Sequence, residues 1–578
     1  MDDVFVKDRL PDRPAARGEI EPGLACPAMV DPKTMEDSGI QDNSTGALLL
    51  PPELWDDICS LLAKPSLLSL KLVCSRLNTI ALPWAYRQIR LEGFGNSAER
   101  FVEIAKSPRF RNLVRELTID TSVDLDFSYN CNDSYPYPTE FLTALVYMHC
   151  FSSLSVVHLR FNQYCGEDDR VGLVIEETYG FRYRVLDTVF HCIAGMWTVE
   201  KHMEIEEKVE DELHNYERTY PEDEFTGSLS QVMPLNELTI SNLADYYDPD
   251  LASSAAFKKV MSMPSLTNLK LFITTEKNED TDDSTAYYEE KYAFFDFLPD
   301  TWLSQSISDN LTVLSLYACD YWGWFPKMEF RNMKFPQLKV LALGHYVFSH
   351  EWQIDWISSI GRGDGGEGLR ELYLDDCPIL YQAFQASPLD DSDPGYPALE
   401  TVLDHENGEL HSYTMRWSHV LSRWSTTMRG LREFRMGHGH WTADEAPEDT
   451  LESHLVDFGE DEERQSVLRY RLSNNTHRSF DCPEPIDRDY GDEDPSKICA
   501  TSKYLRGTGI NGRGGYKLQY IEYDIHTHPS PWYEKFWSYR LDDEGFEPEQ
   551  GTWATDIAAL EAFTAKIKIR AANREESI

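Results

Sequence analysis

Leu311-Thr312-Val313-Leu314-Ser315-Leu316 is echoed, roughly thirty residues on, by Leu338-Lys339-Val340-Leu341-Ala342-Leu343. After a similar interval it is echoed again by Leu369-Arg370-Glu371-Leu372-Tyr373-Leu374. Within each copy apolar and polar residues alternate, which turns one set of side chains inward and the other outward, as a strand does. The intervals leave room for one strand and one helix or loop per copy.

Working outward, the same six-residue pattern is found at Val114–Ile119, Leu154–Leu159, Leu235–Ile240 and Leu266–Leu271. Weaker copies start at Leu399, Leu431 and Leu518. Several begin just after a turn residue, as at Pro264, Pro336, Gly368, Pro397 and Gly430. No single unit of this size closes its own core, but stacked units share one, so the chain grows longer without growing thicker. The competing reading is a set of unrelated strands in an ordinary α/β domain. The register is interrupted at about 161–234, where a helix is expected from about Arg182 to Glu212, and at about 441–515. Thr274 to Glu290 reads as a polar loop. A helix from Asp556 to about Ile569, within a last segment 556–578, is expected to cap the stack.

Upstream of the repeats, Leu50 to Leu91 reads LPPELWDDICSLLAKPSLLSLKLVCSRLNTIALPWAYRQIRL. Leu54, Ile58 and Leu61/Leu62 recur at helical spacing behind Pro51 and Pro52, and Pro suits a first helical turn. Lys64-Pro65-Ser66 interrupts the run. Leu67, Leu70, Val73/Cys74 and Leu77 then mark a second face, and Ile80, Leu82, Trp84, Tyr86 and Ile89 a third element. So short a unit must lean on a following domain, on a partner, or on both.

This stretch resembles an F-box, the adaptor-binding module of ubiquitin-ligase substrate receptors. The resemblance rests on Leu50-Pro51-x-Glu53-Leu54, Ile58, Leu61-Leu62, Leu67, Leu70 and Val73-Cys74-x-Arg76. Where the family usually has Trp after that arginine, this chain has Leu77. The repeats are similar to degenerate leucine-rich repeats, with Cys377 where that family often has Asn or Cys. Together the pattern resembles fungal F-box proteins with loose repeats. The resemblance implies an α/β chain with an F-box-like three-helix unit (47–91) and an irregular leucine-rich-repeat solenoid (113–555); composition adds a disordered leader (1–46), and apolar pattern a linker helix (92–112) and the capping helix. The resemblance further implies a substrate-recognition subunit that binds a Skp-type adaptor, and through it a cullin, by Leu50, Pro51, Leu54, Ile58, Leu67, Leu70 and Val73. A protein target would lie on the strand residues that alternate with the Leu positions: Glu116, Thr118, Glu237, Lys270, Phe272, Tyr317, Tyr373, Asp375, Glu433 and Arg435. The alternative is a repeat scaffold that takes no part in ubiquitin transfer.

Charge narrows the function classes. The chain of 578 residues carries a formal net charge of −45, which argues against nucleic acid and anionic membrane as partners. It favours a target with positive charge. Between Leu48 and Arg90, five basic residues stand against three acidic ones, so that segment is slightly cationic. In the resembled family the adaptor is acidic, so the signs agree.

Eleven cysteines without a CxxC pair, and no signal-like or membrane-length apolar run, point to cytoplasm or nucleus. Gly507-Thr-Gly-Ile-Asn-Gly512 matches GxGxxG but precedes a strand-like run rather than a helix, which is a glycine turn rather than a phosphate cradle. His438-Gly-His440 and His526-Thr-His528 lack further ligands at metal spacing. No catalytic motif is found, and no cofactor, metal or catalytic residue is expected.

Overall fold

The computed structural model describes residues 50–62, 64–93, 96–121, 138–161, 165–166, 177–212, 216–220, 231–275, 289–375, 377–385, 402–405, 408–437, 518–525 and 547–575. The leader 1–46, the whole 441–515 interruption with the Gly507–Gly512 motif, and both His-x-His pairs lie outside them. The chain divides into two units, Met1–Trp55 and Asp56–Ile578, and the boundary falls within helix α1 (Pro52–Ser60). Helices α2 (Lys64–Leu70) and α3 (Ser75–Ala85) come next, in the second unit.

The fold is mixed α/β with a parallel central sheet and no closed barrel. Its nine strands are β1 (Gln88–Glu92), β2 (Glu116–Asp120), β3 (Val156–Arg160), β6 (Glu237–Ala244), β7 (Asn268–Thr274), β8 (Val313–Trp322), β9 (Val340–Tyr346), β10 (Glu371–Asp375) and β14 (Glu433–Gly437). They lie side by side in chain order, every neighbouring pair parallel. A two-stranded pair, β4 (Cys165–Gly166) and β5 (Glu177–Thr178), stands apart. So does a four-stranded sheet of β11 (Ile379–Gln385), β12 (Val402–His405), β13 (Gly408–Ser412) and β15 (Tyr520–Ile525), in the order β12-β13-β11-β15.

The six-residue pattern explains the large sheet. Its fourth residues stand in register as Ile89, Leu117, Val157, Leu238, Leu269, Leu314, Leu341, Leu372 and Phe434. Its sixth residues form a second row, from Leu91 through Leu271 and Leu316 to Met436. All but Phe434 are buried, and burial of such a side chain contributes about 1.5–3 kcal/mol relative to exposure.

The turn into each strand is also repeated. The carbonyl of Thr312 accepts the amides of Lys339 and Val340, and that of Lys339 accepts those of Arg370 and Glu371. Arg87, Arg115, Ser155, Asn236, Thr267 and Arg370 make the same paired acceptance toward the next strand. Eight carbonyls therefore each hold two amides, so the start of every strand after β1 is satisfied by its predecessor.

Three expectations are corrected. The sheet begins at Gln88, inside the stretch read as a third helical element, and not after a linker ending at 112. Tyr86-Arg-Gln-Ile89-Arg-Leu91 carries the same alternation, and its polar residues pair with those of β2. Residues 92–112 then hold the end of that strand and two helices, Ser97–Lys106 and Pro108–Arg111. The copies starting at Leu399 and Leu518 supply β12 and β15 of the small sheet, where β12 runs antiparallel to β13. The single helix expected from Arg182 to Glu212 is two, Tyr179–Ile193 and Val199–Glu212. Gly195, at φ +63° just past the first, supplies the left-handed residue that ends a helix. A Cβ there would lie 2.6 Å from the Val232 amide nitrogen, so only glycine fits.

The C-terminal helix, Thr552–Glu575, packs against the helix Trp417–Thr427 and beside β14. Phe563 meets Phe434 edge-on at 5.0 Å. The buried Asp556 accepts the Ser418 amide at 2.8 Å, and Arg570 donates to the carbonyls of Met428 and Ser425 at 2.8 and 2.9 Å.

Candidate interaction surfaces

The three helices before the sheet have a small interior. Cys59, Leu67, Ala81 and Ala85 are its buried members, with Leu62, Leu70, Ile80, Trp84 and Tyr86 packed partly against them. Trp84 Nε1 donates to Asp56 Oδ1 at 2.8 Å, tying α3 back to the start of the second unit. The segment leans on the strand and helices that succeed it. Tyr86 stacks on Phe110 with centroids 4.4 Å apart, and Lys64 Nζ donates to the Gln88 carbonyl at 2.9 Å. Burial, aided by the Asp56 charge, pushes the Cys59 thiol up.

Outside that interior, large apolar side chains stand in water. Leu61 and Leu72 are each 87% exposed and Val73 65%, with Ile58 and Leu68 also exposed. Five of the eleven exposed large hydrophobic residues among those described thus lie between Ile58 and Val73. Scattered exposed apolar residues are ordinary, whereas these five fall within one short stretch of the chain. The ammonium of Lys71 lies 4.5 Å from the Tyr86 ring centroid, and the Arg87 guanidinium 5.2 Å from that of Trp84. Two of the segment's basic residues therefore lie against its aromatic rings, while Arg90 pairs with Glu92 and Asp120.

The seven residues expected to meet an adaptor separate by burial. Ile58 and Val73 are exposed. In the first unit, Pro51 and Leu54 are exposed and Leu50 is half-buried. Leu67 is a correction: it is buried in the interior of the helices, and Leu70 is half-buried against the same cluster. Helical spacing alone did not separate the inward from the outward face in helices this short. It also passed over Leu61, Leu68 and Leu72 as surface residues.

The residues expected to line a target groove are mostly enclosed. Thr118, Glu237, Lys270, Phe272, Tyr317 and Tyr373 are buried. Lys270 Nζ donates to Glu237 Oε1 at 2.8 Å, a cross-strand ion pair inside the protein. The Tyr373 hydroxyl donates to Glu371 at 2.9 Å. Glu116 is half-buried, takes Gln88 Nε2 at 3.0 Å and lies 3.3 Å from His158 Nε2. Glu433 and Arg435 are half-buried and pair at 2.8 Å. The side chain of Asp375 lies outside the described residues. These polar residues bond mainly along and across the strands, and among the described side chains of the set Glu433 and Arg435 keep the most accessible surface.

A feature with no motif to announce it lies in the first interruption. Arg184 and Glu206 are both fully enclosed, with Arg184 Nε donating to Glu206 Oε1 at 2.6 Å. Glu206 also accepts the Tyr216 hydroxyl and the Thr219 amide, each at 2.9 Å, and His202 Nε2 lies 2.9 Å from the Thr219 carbonyl. Burial pushes the Glu206 carboxyl up, but the Arg184 charge, the Thr219 amide, His202 and Tyr216 outweigh it and hold the group below its ordinary range. His202 and Glu206 stand one turn apart on the helix Val199–Glu212, and nothing in that spacing points to Arg184 on the preceding helix.

Among the described residues no group of three or more His, Cys, Asp or Glu side chains could hold a metal ion, and no helix is long and apolar enough to cross a membrane. No known family model matches the chain, and no curated protein matches it.

Proposed function

We propose that this chain is the non-catalytic, target-binding subunit of a cullin-type ubiquitin ligase, with the segment 50–91 acting as an F-box toward a Skp-type adaptor. The observation that carries the reading is the set of exposed apolar side chains between Ile58 and Val73. A segment with so small an interior leaves apolar area for a partner to bury, at about 25 cal/mol per Å². In this reading Ile58, Leu61, Leu68, Leu72 and Val73 contribute the adaptor contact, and Leu67 holds the segment together.

The sequential parallel sheet then acts as an open leucine-rich-repeat solenoid, closed at its β14 end by the helix Thr552–Glu575. The net charge of −45 suits a target bearing positive charge. Catalysis would be by proximity: the receptor raises the local concentration of its target near a charged conjugating enzyme, and the bond is made on other subunits. Such a receptor works in cytoplasm or nucleus.

The test is co-purification of adaptor and cullin with full-length protein carrying Leu61→Glu and Leu72→Glu. Both side chains are largely exposed, so the fold should persist, while adaptor recovery should fall at least about tenfold if these are interface anchors. Undiminished recovery overturns the contact. Adaptor recovered without cullin favours a scaffold outside ubiquitin transfer.

A further inference from the structure

A cavity opens at the carboxyl ends of β3 and β6, the end of a parallel sheet at which ligands enter. Phe161 follows β3, Tyr246 and Asp248 follow β6, Tyr183 comes from the helix Tyr179–Ile193, and Phe294 and Trp302 also line it. It encloses about 570 Å³, part of which is open to solvent. That is room for a group of a few heavy atoms at the end of a longer chain.

The lining is largely aromatic, with Arg182 and Asp248 as its two charged residues. Aromatic faces attract cations. The protein already uses this wall so: Lys208 Nζ lies 3.9 Å from the Tyr183 ring centroid and pairs with Asp250. The Arg182 guanidinium, 5.0 Å from the Phe161 centroid, is engaged by Glu177 at 2.9 Å and by the Asn242 carbonyl at 2.7 Å. Asp248 Oδ1 caps a short helix, accepting the amides of Asp250 and Leu251 at 2.9 and 3.0 Å. Among the described residues its Oδ2 accepts no hydrogen bond. Beside the cavity Glu177 is taken by Arg182, Asp250 by Lys208 and Asp187 lies 3.2 Å from His191 Nδ1, which leaves Asp248 as the carboxylate of the lining itself. Burial pushes the Asp248 carboxyl up, with Lys208 partly opposing it, so an incoming cation would relieve a desolvated acid.

We propose that this cavity binds the ammonium end of an alkyl chain, primary or methylated, against the rings of Tyr183, Tyr246 and Trp302, with Asp248 as its counter-ion. Lys208 is the internal competitor for the same rim. The site is independent of the ligase reading, and either can fail alone.

Titration calorimetry of the full-length protein with pentylammonium and pentyltrimethylammonium, against the neutral alcohol of equal length, tests it. Both cations should bind at least about tenfold more tightly than the alcohol. Asp248→Asn keeps the helix cap, because Asn caps as well as Asp, and should lower cation affinity about tenfold. Lys208→Gln should raise it. A short lysine-containing peptide run beside the amines separates the sources: tighter peptide binding assigns the site to a protein side chain, tighter amine binding to a small molecule. Equal affinity for cation and alcohol, no binding of either, or an Asp248→Asn variant that binds as wild type overturns the proposal.

Discussion

The helices of 56–85 and the nine-stranded sheet use leucine in opposite ways. In the sheet, Leu117, Leu269, Leu314, Leu341 and Leu372 occupy one register row and are all fully buried. In the helical segment, Leu67 and Leu77 are buried, while Leu68 on α2 and Leu61 and Leu72 in the turns after α1 and α2 face water. The difference lies in how each region is closed. A parallel strand gains a neighbour on each side and inherits its register from the paired amides of the strand before it. A helix of seven to eleven residues has one inward stripe and nothing repeated against which to hide the rest. Apolar content that stabilises the sheet is therefore left, in these short helices and the turns between them, as free surface.

Four measurements break or sharpen this contrast. The largest effect belongs to the buried network of the first interruption. Arg184→Met leaves Glu206 charged and enclosed, and should cost about 3–5 kcal/mol, read as a lowered thermal midpoint. In the sheet, Leu314→Ala should cost about 2–5 kcal/mol by the same measurement. A loss well under 1 kcal/mol would mean that the row is not a packed core.

The third measurement is pH dependence. The Glu206 carboxyl is depressed in the folded protein, so its contribution is fully present above the ordinary glutamate range and is lost as pH falls through the depressed value. The thermal midpoint of the wild type should therefore fall on acidification below that range. Arg184→Met should show a shallower acid loss, and parallel curves would remove Glu206 from the cause. The smallest effect should come from Leu72→Ala, whose side chain is exposed: about 0.5 kcal/mol or less for the chain alone. A large loss there would mean that Leu72 is already covered within the protein.

Much of the sheet was legible because its signal is local and repeated. Leu311–Leu316, Leu338–Leu343 and Leu369–Leu374 give β8, β9 and β10 in matching register. The same pattern hid β1, because Tyr86–Leu91 adjoins a helical run whose apolar spacing overlaps it. It misassigned the Leu399 and Leu518 copies, because alternation shows that a strand exists and not which sheet receives it.

The surfaces were less legible. Alternation placed Lys270, Tyr317 and Tyr373 opposite the leucine rows, but a face opposite the core need not be wet. Lys270 is enclosed through its pairing with Glu237, a residue one strand away and 33 positions back in sequence. Gly344 adds to this closure, since a Cβ there would collide with the Tyr317 ring. The Arg184–Glu206 pair, 22 positions apart, was equally out of reach of any short motif.

The shared carbonyls at the strand starts decouple the sheet from the length of chain between strands. The interval from one start to the next ranges from 27 residues, Val313 to Val340, to 81, Val156 to Glu237, yet the same two amides meet the same kind of acceptor at both. Closing a longer loop costs only the logarithm of its length. The excursions can therefore gain or lose whole segments while the ladder beneath them keeps its alignment. The fold is a rack, in which the pieces hung between the rungs can be exchanged without re-cutting the rungs.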